Sequence, residues 1–510
     1  MNVSRYNKPM KKTKVVIVGA GLGGMSAAIS LAAHPQFEII LLEKNNHLGG
    51  KLNLKETQGF SFDLGPSILT MPHLFERLFL MHGKAMHDYI PIEPVRPHWR
   101  NFFEDGTVID LTHKIDHMLV NQSLSPMDVE DLKRFYAYTE QIYELASFVV
   151  FDNQLENTAA VIKKKPSLKL FLKMDYFSTM DQGVRRYIKN PYMIDILNYF
   201  IKYVGSSPYD APALMNLLPY IQWKFDLWYV KDGMFNISRG LKKLIDTLPQ
   251  IQIKYQAEVL NVTKHGNHLS HVHLKDGTTL EADIVISNME AIPFYEKITK
   301  ESPRFIQKYN QKFHPACSGF ALHLGTDKVY PQLAHHNFFY SKDSKTNFKN
   351  IFHRHRLNED PTIYLVAPMR TDPSQGPKGG DIIKILPHIP VIDPKKPFTQ
   401  EEYATYRDHV LTKLERMGLT DLRKHIVVEE LWVPETIQDM YNSNMGSIYG
   451  VVSDRRRNMG FKIPKKSVLY DNLYFVGGSV NPGGGMPMVV LSGQQVVEQI
   501  LQNDALKVAE

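Results

Sequence analysis

A short apolar run that leads straight into a glycine-rich turn constrains this 510-residue chain most strongly. Lys14 to Val18 is followed by Gly19, Gly21 and Gly24 in the spacing G-x-G-x-x-G, and an alanine-rich stretch comes next. This pattern predicts a strand, a tight turn and a helix, which together open a βαβ unit. Gly19 would permit the turn, Gly21 would let the backbone approach a pyrophosphate, and Gly24 would let helix and strand pack closely. The helix N-terminus would offer N–H groups to phosphate.

The second predicted strand, residues 38–42, ends at Glu43, about 20 residues beyond the glycine turn. A carboxylate there can accept hydrogen bonds from both ribose hydroxyls of a dinucleotide and would repel a 2′-phosphate. An ordinary glycine turn is the alternative interpretation of the glycine spacing alone. Strand, helix and terminal acid together favour a dinucleotide site.

Further glycines follow the acidic residue. Gly49 and Gly50 come shortly after Glu43, and Gly65-Pro66 lies within residues 60–67. Glycines here would let the backbone pass close to a ligand that extends beyond the pyrophosphate, such as the ring of FAD. A surface loop with a turn at Gly65-Pro66 is equally compatible with the spacing.

A second glycine-rich segment lies near the C-terminus. An apolar run, residues 473–476, leads into residues 477–485, which contain five glycines, and a helix is predicted from about Met486 to Gln502. This is another strand-to-helix crossing at which a ligand can sit; a loop that caps the last helix is the alternative. One FAD held by both ends of the chain accounts for both glycine segments.

Residues 43–51 and 60–67 together resemble the carotenoid desaturase and oxygenase family, whose members are related to the flavin amine oxidases. The resemblance covers most of the chain, including residues 200–213 and the C-terminal glycine segment. It is closest to the subgroup that oxidises terminal methyl groups of acyclic C30 carotenoids of the 4,4′-diaponeurosporene type. The resemblance implies that FAD is contacted by Gly19, Gly21, Gly24, Glu43, Gly50, Lys51, Val259, Gly478 and Met486.

The resemblance also implies an α/β fold of two domains, as in phytoene desaturase and the flavin amine oxidases. A Rossmann-like FAD-binding domain would be assembled from the discontinuous residues 1–85, 230–295 and 430–510. Residues 86–229 and 296–429 would form an inserted domain that faces the substrate and the membrane.

Several elements are predicted within these segments. The first insertion reads as largely helical and rich in aromatic residues. Strands are predicted at residues 251–255, 258–262, 284–288, 320–324 and 362–366, with a hairpin turn at residues 275–278.

One departure from the family pattern bears on the reaction. Desaturases of the family carry a T-H-P-G-x-G-V/I-P run where this chain has residues 480–487, with Asn481 replacing the histidine. A histidine exchanges protons near neutral pH, whereas an asparagine cannot. Asn481 is therefore a candidate specificity residue that favours methyl oxidation, and no catalytic residue is assigned.

The expected activity is FAD-dependent oxidation of the terminal methyl group of an acyclic C30 carotenoid to the aldehyde. A dehydrosqualene- or phytoene-type desaturase is the alternative enzyme. A flavin-fold protein that binds isoprenoids without turnover is the alternative of another class. The oxygen atom would come from molecular oxygen or from water, and the residues leave that choice open.

Charge and hydropathy indicate the partners. The net charge of +7 allows an anionic partner. Lys163 to Lys173 interleaves five lysines with large apolar residues, which favours contact with anionic lipid, although a solvated helix face is the alternative. No apolar run is long enough to span a membrane and no signal peptide is evident. We therefore expect a cytoplasmic protein at the inner face of the membrane, and no nucleic-acid motif accompanies the charge.

Cysteine and histidine indicate neither a disulfide nor a metal site. Cys317 is the single cysteine, so an intrachain disulfide is excluded, and a buried structural thiol is expected. The histidine pairs at residues 335–336 and 353–355 lie beside no second cluster with metal-ligand spacing.

Overall fold

The structure is a computed structural model that describes residues 12–119, 124–152, 154–156, 158–163, 175 and 177–509. Of the lysine-rich run predicted to contact lipid, only Lys163 belongs to these ranges, and the rest lies outside the described residues. Within the same ranges, no helix has both the length and the apolar character needed to cross a bilayer.

The chain forms 20 strands and 14 α-helices within the described residues, and several strands or helices often follow one another. The strands are β1 Thr13–Val18, β2 Phe37–Leu42, β3 Leu54–Thr57, β4 Phe60–Asp63, β5 Ile92–Pro94, β6 Trp99–Phe102, β7 Val108–Leu111, β8 Trp228–Val230, β9 Ile251–Lys254, β10 Val259–His265, β11 His268–Leu274, β12 Thr279–Glu281, β13 Ile284–Ser287, β14 Ser318–Gly319, β15 Ala321–Thr326, β16 His336–Phe339, β17 Ile363–Val366, β18 Asp381–Ile389, β19 Ile426–Trp432 and β20 Leu473–Phe475. The helices are α1 Leu22–Ala32, α2 His73–Leu80, α3 Pro126–Ser147, α4 Thr158–Lys163, α5 Met180–Tyr187, α6 Pro191–Tyr199, α7 Leu217–Phe225, α8 Asn236–Ile245, α9 Ala291–Pro293, α10 Pro303–Lys312, α11 Ser344–Lys349, α12 Gln400–Arg416, α13 Pro434–Tyr441 and α14 Met486–Ala509.

The first sheet is parallel and has the strand order β20-β13-β1-β2-β9. Its strands come from three chain segments, residues 13–42, 251–287 and 473–475, so residues near both ends of the chain meet in one sheet. Residues 15–17 of β1 are fully buried. Such continuous apolar runs are typical of parallel strands that are covered on both faces.

Two different layers cover the faces of the parallel sheet. Val15 and Ile17 pack in the same cluster as α1 and α14. Val16 and Val18 point to the other face and pack against the three-stranded sheet β10-β11-β12. Helices α1 and α14 lie very close together: a Cβ at Gly493 of α14 would lie 2.7 Å from the carbonyl oxygen of Gly23 in α1.

The second large sheet is mainly antiparallel, with the order β19-β15-β18-β17-β16-β6-β7, and β14 pairs with β18. The single parallel pair along this order joins β16 to β6. All six residues of β15 are buried, and α12 packs on this sheet through Tyr403, Tyr406 and Val410. Helices α3 and α5–α7 add a further layer that shares one core with the parallel sheet.

The predicted elements are confirmed at the level of strand and helix. The strands predicted at 251–255, 258–262, 284–288, 320–324 and 362–366 are all present, and the turn at 275–278 joins β11 to β12. Helix α1 begins at Leu22, three residues before the alanine-rich stretch, and α14 runs past Gln502. The first insertion also contributes strands β5–β8, which its helical composition did not indicate.

The domain boundaries stay a prediction. The parallel sheet draws its strands from residues 13–42, 251–287 and 473–475, and the second large sheet from residues 99–111 and 318–432. Strand β19 ends at Trp432, two residues beyond the predicted start of the last segment at 430. The β3–β4 hairpin packs its Phe60 and Phe62 side chains on the second sheet.

Candidate functional site

A cavity of about 580 Å³ lies between the parallel sheet and the second large sheet. The glycine turn after β1, the end of β2, the loop after β13 and the glycine segment after β20 line one part of it. Residues of the second sheet and of the turn after α6 line the other part. The carboxyl ends of parallel strands are the usual ligand-binding edge of an open α/β sheet.

The first glycine turn is shaped by close backbone contacts. Gly19 has φ +93°, a conformation that favours glycine, and it lines the cavity. A Cβ at Gly24 would overlap the Gly19 carbonyl oxygen, so Gly24 allows the start of α1 to pack against the end of β1. Gly24 itself does not line the cavity.

Gly21 stands where backbone faces the cavity directly. It is the N-cap of α1, and no side chain caps the helix there. A Cβ at Gly21 would lie 2.6 Å from the Asn288 side-chain nitrogen, and a Cβ at Gly50 would lie 3.1 Å from the Gly21 Cα. The segments of Gly21 and Gly50 and the Asn288 amide therefore meet at this wall. A side chain at Gly21 would occupy the edge of the cavity.

Glu43 presents an oriented carboxylate to the cavity. Its Oε2 accepts the Ala20 backbone N–H at 3.0 Å, and its Oε1 accepts the Asn45 backbone and side-chain N–H groups at 3.0 Å. The residue is only 5% exposed. A carboxylate has about four acceptor positions, so capacity remains for hydroxyl donors.

Lys51 ties together the segments that surround the cavity. Its Nζ forms an ion pair with Glu290 at 3.3 Å and donates to the carbonyls of Ser447 and Ile448 at 3.3 and 3.2 Å. Glu290 in turn accepts the Asn444 backbone N–H at 3.0 Å. Lys51 also lines the cavity, as do Gly50 and Val259.

The C-terminal glycine segment closes the same wall. Gly478 and Met486, the first residue of α14, both line the cavity. A Cβ at Gly484 would lie 2.8 Å from the Tyr449 carbonyl oxygen, so side chains are excluded here too. The N-terminus of a helix favours negative charge, so this end of α14 offers an anion-stabilising position.

Asn481, the candidate specificity residue, does not line the cavity. Its Oδ1 accepts the Lys462 N–H at 2.9 Å, and its Nδ2 donates to the carbonyls of Lys462 and Ile463 at 3.1 and 3.3 Å. The side chain is 7% exposed and holds the preceding loop. Its effect on specificity stays a prediction.

The segment at residues 60–67 meets the residues before α8 at a buried acid. The Asp63 carboxylate accepts the N–H groups of Met234 and Phe235 at 2.7 and 2.9 Å, and burial raises its pKa. Lys384 of β18 donates to the carbonyl oxygens of Asp63 and Gly65, and burial lowers its pKa to about 8. These bonds fix the turn at residues 63–67 against the second sheet, where it lines the cavity.

Another part of the cavity lining is aromatic and contains a buried amine. Tyr203, Tyr364 and Tyr449 line the cavity together with Lys202, which is 3% exposed. Ring faces attract a cation by about 0.5–2 kcal/mol. Removing an unpaired ammonium from water costs several kcal/mol, so burial lowers the pKa of Lys202 well below its usual value.

The histidines and the cysteine are engaged elsewhere. Within the described residues, no group of three or more His, Cys, Asp or Glu side chains could hold a metal ion. His335 and His336 bond to the Thr371 and Tyr364 hydroxyls at 2.7 and 2.9 Å. Burial raises the pKa of the Cys317 thiol far above its usual value, which fits a structural residue.

The structure therefore brings eight of the nine predicted cofactor contacts to one cavity and places Gly24 directly behind it. Sequence reasoning missed Asn288, Glu290, Lys202 and Lys384. Asn288 ends the strand that was predicted at residues 284–288, and this position was a usable signal. The two lysines gave no signal, because buried and exposed lysines look alike in a sequence.

Comparison with known proteins places these features in a family. The model of the flavin containing amine oxidoreductases matches residues 22–501. The chain is 55% identical to a 4,4′-diapolycopene oxygenase of Methylomonas sp. over 489 residues, which cover 96% of this chain and 98% of that protein. It is 48% identical to a 4,4′-diaponeurosporene oxygenase of Staphylococcus haemolyticus strain JCSC1435, over 96% of this chain and 97% of that one.

Solved structures share the fold at low sequence identity. An oxidoreductase from Methanosarcina mazei aligns with a TM-score of 0.64 and 15% identity, over 95% of this chain and all of the other. A wild-type putrescine oxidase bound to putrescine aligns with a TM-score of 0.62 and 14% identity, over 96% and 99%. The predicted α/β fold, with its relation to the flavin amine oxidases, is confirmed.

Proposed function

The chain belongs to the family of flavin-containing amine oxidoreductases, and we propose that it oxidises the terminal methyl group of an acyclic C30 carotenoid to the aldehyde. The chain is an FAD-dependent oxidoreductase. The observation that carries the proposed reaction is the near full-length similarity to two oxygenases named for C30 carotenoids. The substrate would be of the 4,4′-diaponeurosporene type.

We propose that the glycine wall holds FAD. Because Gly19, Gly21 and Gly50 have no side chains, a pyrophosphate can approach their backbones closely. Glu43 has acceptor capacity left for ribose hydroxyls. Lys51, Val259, Gly478 and Met486 would complete the contacts, and Gly24 would act by packing α1 behind the turn. The residues thus fit the cofactor, which supplies a two-electron acceptor when bound.

The residues around the cavity would position the polyene and exclude water. Leu386, Tyr364 and Ile448 present apolar surface, and a polyene binds mainly through buried hydrocarbon area at roughly 25 cal/mol per Å². The start of α14 would stabilise negative charge that develops at its N-terminus. Conversion of a methyl group to an aldehyde needs two successive two-electron oxidations and one oxygen atom, and we propose molecular oxygen as its source.

We further propose that the protein takes its lipophilic substrate from an anionic membrane surface. The support is the lysine-rich run at residues 163–173, which lies largely outside the described residues. Phe177, which follows this run in the sequence, is 67% exposed and offers apolar surface. Together they fit interfacial association rather than a spanning segment.

Product analysis tests the proposed reaction. Purified FAD-loaded protein is supplied with 4,4′-diaponeurosporene in vesicles, and the products are separated and weighed by mass spectrometry. We expect a terminal aldehyde, with the label arriving from ¹⁸O₂ rather than from H₂¹⁸O after correction for aldehyde exchange. The Gly21→Val protein serves as the flavin-free control. Hydrocarbons with more double bonds and no oxygen would instead identify a desaturase.

A further inference from the structure

Lys202 is set apart from the other buried lysines by its lack of a polar partner. It lies in the 3₁₀ turn Phe200–Val204 after α6 and lines the cavity. Within the described residues, its amine has neither a hydrogen bond nor an ion pair. Lys384, Lys413, Lys462 and Lys465 are also buried, and each donates to carbonyl oxygens or pairs with a carboxylate.

Aromatic rings enclose the Lys202 amine. The Nζ atom lies 3.8 Å from the centre of the Tyr364 ring and 4.3 Å from that of Phe338. The Trp99 and Tyr203 rings follow at 4.7 and 5.0 Å. These rings surround the amine, and Lys202, Tyr203 and Tyr364 line the cavity.

The groups that face Lys202 supply no negative charge. His336 and His388 lie close enough for the lysine charge to lower their pKa values further, and burial already keeps both imidazoles neutral. Burial likewise raises the pKa of the Tyr364 hydroxyl, so it stays protonated. With no carboxylate paired to it among the described residues, burial lowers the pKa of the amine, which favours its neutral form over that of an exposed lysine.

We propose that Lys202 forms a reversible imine with the terminal aldehyde of a polyene in this cavity, which makes the aromatic wall a binding site for polyene aldehydes. The proposal rests on the proposed function, whose product is such an aldehyde. A neutral lysine amine in an apolar site is the reactive form for carbonyl capture.

The step balances without a co-reactant. The amine nitrogen attacks the aldehyde carbon, and a carbon–nitrogen double bond replaces the carbon–oxygen double bond. The carbonyl oxygen leaves as water with the two hydrogens of the neutral amine, and no electrons are transferred. Addition of water reverses the reaction and releases the aldehyde.

Other lysines at the cavity are less suited to this chemistry. Lys51 is committed to Glu290 and two carbonyl oxygens, and Lys384 to the turn at residues 63–67. Lys297 is exposed and donates to Asn442, and the half-exposed Lys44 donates to the Asp439 carbonyl oxygen at 3.4 Å. Selective labelling of Lys202 over these amines is therefore the specific expectation.

Reductive trapping tests the proposal directly. The FAD-loaded protein is mixed with all-trans-retinal, a ready-made polyene aldehyde, and the imine is reduced with cyanoborohydride. Peptide mass spectrometry should find the retinyl mass on Lys202 at least tenfold above Lys44, Lys51, Lys297 and Lys384. Lys202→Met fills the ring-lined space with an apolar chain of similar length, so it should keep the flavin spectrum and lose the label.

Lys202→Arg provides the second variant, since it keeps the cation but forms no stable imine, and it should also stay unlabelled. A flavin-loaded wild-type protein that gains no label on Lys202 overturns the proposal, whatever the variants do. Because retinal is supplied ready-made, the outcome is separate from carotenoid oxidation. A protein that labels Lys202 but makes no aldehyde from 4,4′-diaponeurosporene refutes the proposed reaction alone.

Discussion

Glu43 is oriented by three N–H donors before it meets a ribose. The Ala20 backbone and both N–H groups of Asn45 hold its two oxygens, so the carboxylate cannot rotate freely. The same contacts make it part of the turn that follows β2. Its removal therefore affects ligand binding and local structure together, and the two effects need separate measurements.

We expect Glu43→Ala to weaken FAD binding by about 1–3 kcal/mol, because hydrogen bonds to a charged acceptor are lost. That corresponds to roughly 5- to 150-fold in Kd, measured by titrating flavin-free protein with FAD and following flavin fluorescence. Glu43→Gln keeps the shape and one acceptor oxygen, so its Kd should lie between those of the wild type and of Glu43→Ala. An unchanged Kd for Glu43→Ala, with a normal thermal midpoint, would remove Glu43 from the ribose site.

Asn481 is the residue at which the pattern and the structure suggest different roles. The pattern linked it to specificity, whereas its amide binds the backbone of residues 462–463 outside the cavity lining. A histidine offers fewer donors and acceptors than the Asn481 amide, so it cannot replace all of these hydrogen bonds.

Asn481→His is therefore expected to destabilise the protein by about 1–3 kcal/mol, because buried backbone groups lose their partners. The measurement is the thermal midpoint of the FAD-loaded protein. Product analysis of the same variant tests the specificity prediction: if products change from aldehydes to more unsaturated hydrocarbons, position 481 acts on the reaction as well. Asn267→His, in the exposed turn between β10 and β11, controls for the introduced imidazole.

At the scale of elements, the β1–α1 turn divides its glycines between ligand access and packing. A Cβ at Gly21 would meet only the end of the Asn288 side chain, whereas one at Gly24 would overlap the backbone of Gly19. A side chain can move aside more easily than a backbone carbonyl. The two glycines should thus fail differently when replaced.

We expect Gly21→Val to abolish FAD binding while the chain still folds, and Gly24→Val to lower stability by about 1–3 kcal/mol or more through overpacking. Flavin absorbance after gel filtration reports binding, and circular dichroism against temperature reports folding. A Gly21→Val protein with a normal yellow spectrum would contradict the assignment of this turn to the pyrophosphate.

Elements formed by local patterns were predictable, and long-range pairings were not. The strand, glycine turn and helix at residues 13–32 follow from spacing alone, as does the β11–β12 turn. The parallel pairing of β16 with β6 joins residues more than 230 positions apart and leaves no periodic signal. The ring enclosure of Lys202 depends on that pairing, since Trp99, Phe338 and Tyr364 lie on three separate strands.

At the scale of the whole molecule, one cavity joins a polar and an apolar half. The parallel sheet contributes glycines, Glu43 and helix ends, which suit a dinucleotide. The second sheet and the turn after α6 contribute aromatic and aliphatic side chains, which suit a polyene. A substrate that resides in lipid must reach this second half, so the surface near α4 and Phe177 becomes the natural place to test membrane contact.

We expect the protein to float with vesicles that contain anionic lipid and to float less as salt rises, because salt screens surface charge. Replacing Lys163, Lys164, Lys165, Lys169 and Lys173 by Gln should reduce the bound fraction at least tenfold, since each lysine near an anionic surface contributes about 1 kcal/mol. FAD content should stay normal, because Glu43 and the glycine wall are unchanged.

The matched control removes the same charge from exposed positions elsewhere: Lys242, Lys275, Lys395, Lys396 and Lys424. If net charge alone drove association, both five-lysine variants would lose flotation equally. If the run at 163–173 forms the contact, the control should float almost as well as wild type. Equal flotation of all three proteins would show that residues 163–173 do not contact the membrane, as expected for a solvated helix face. Substrate delivery would then need another surface.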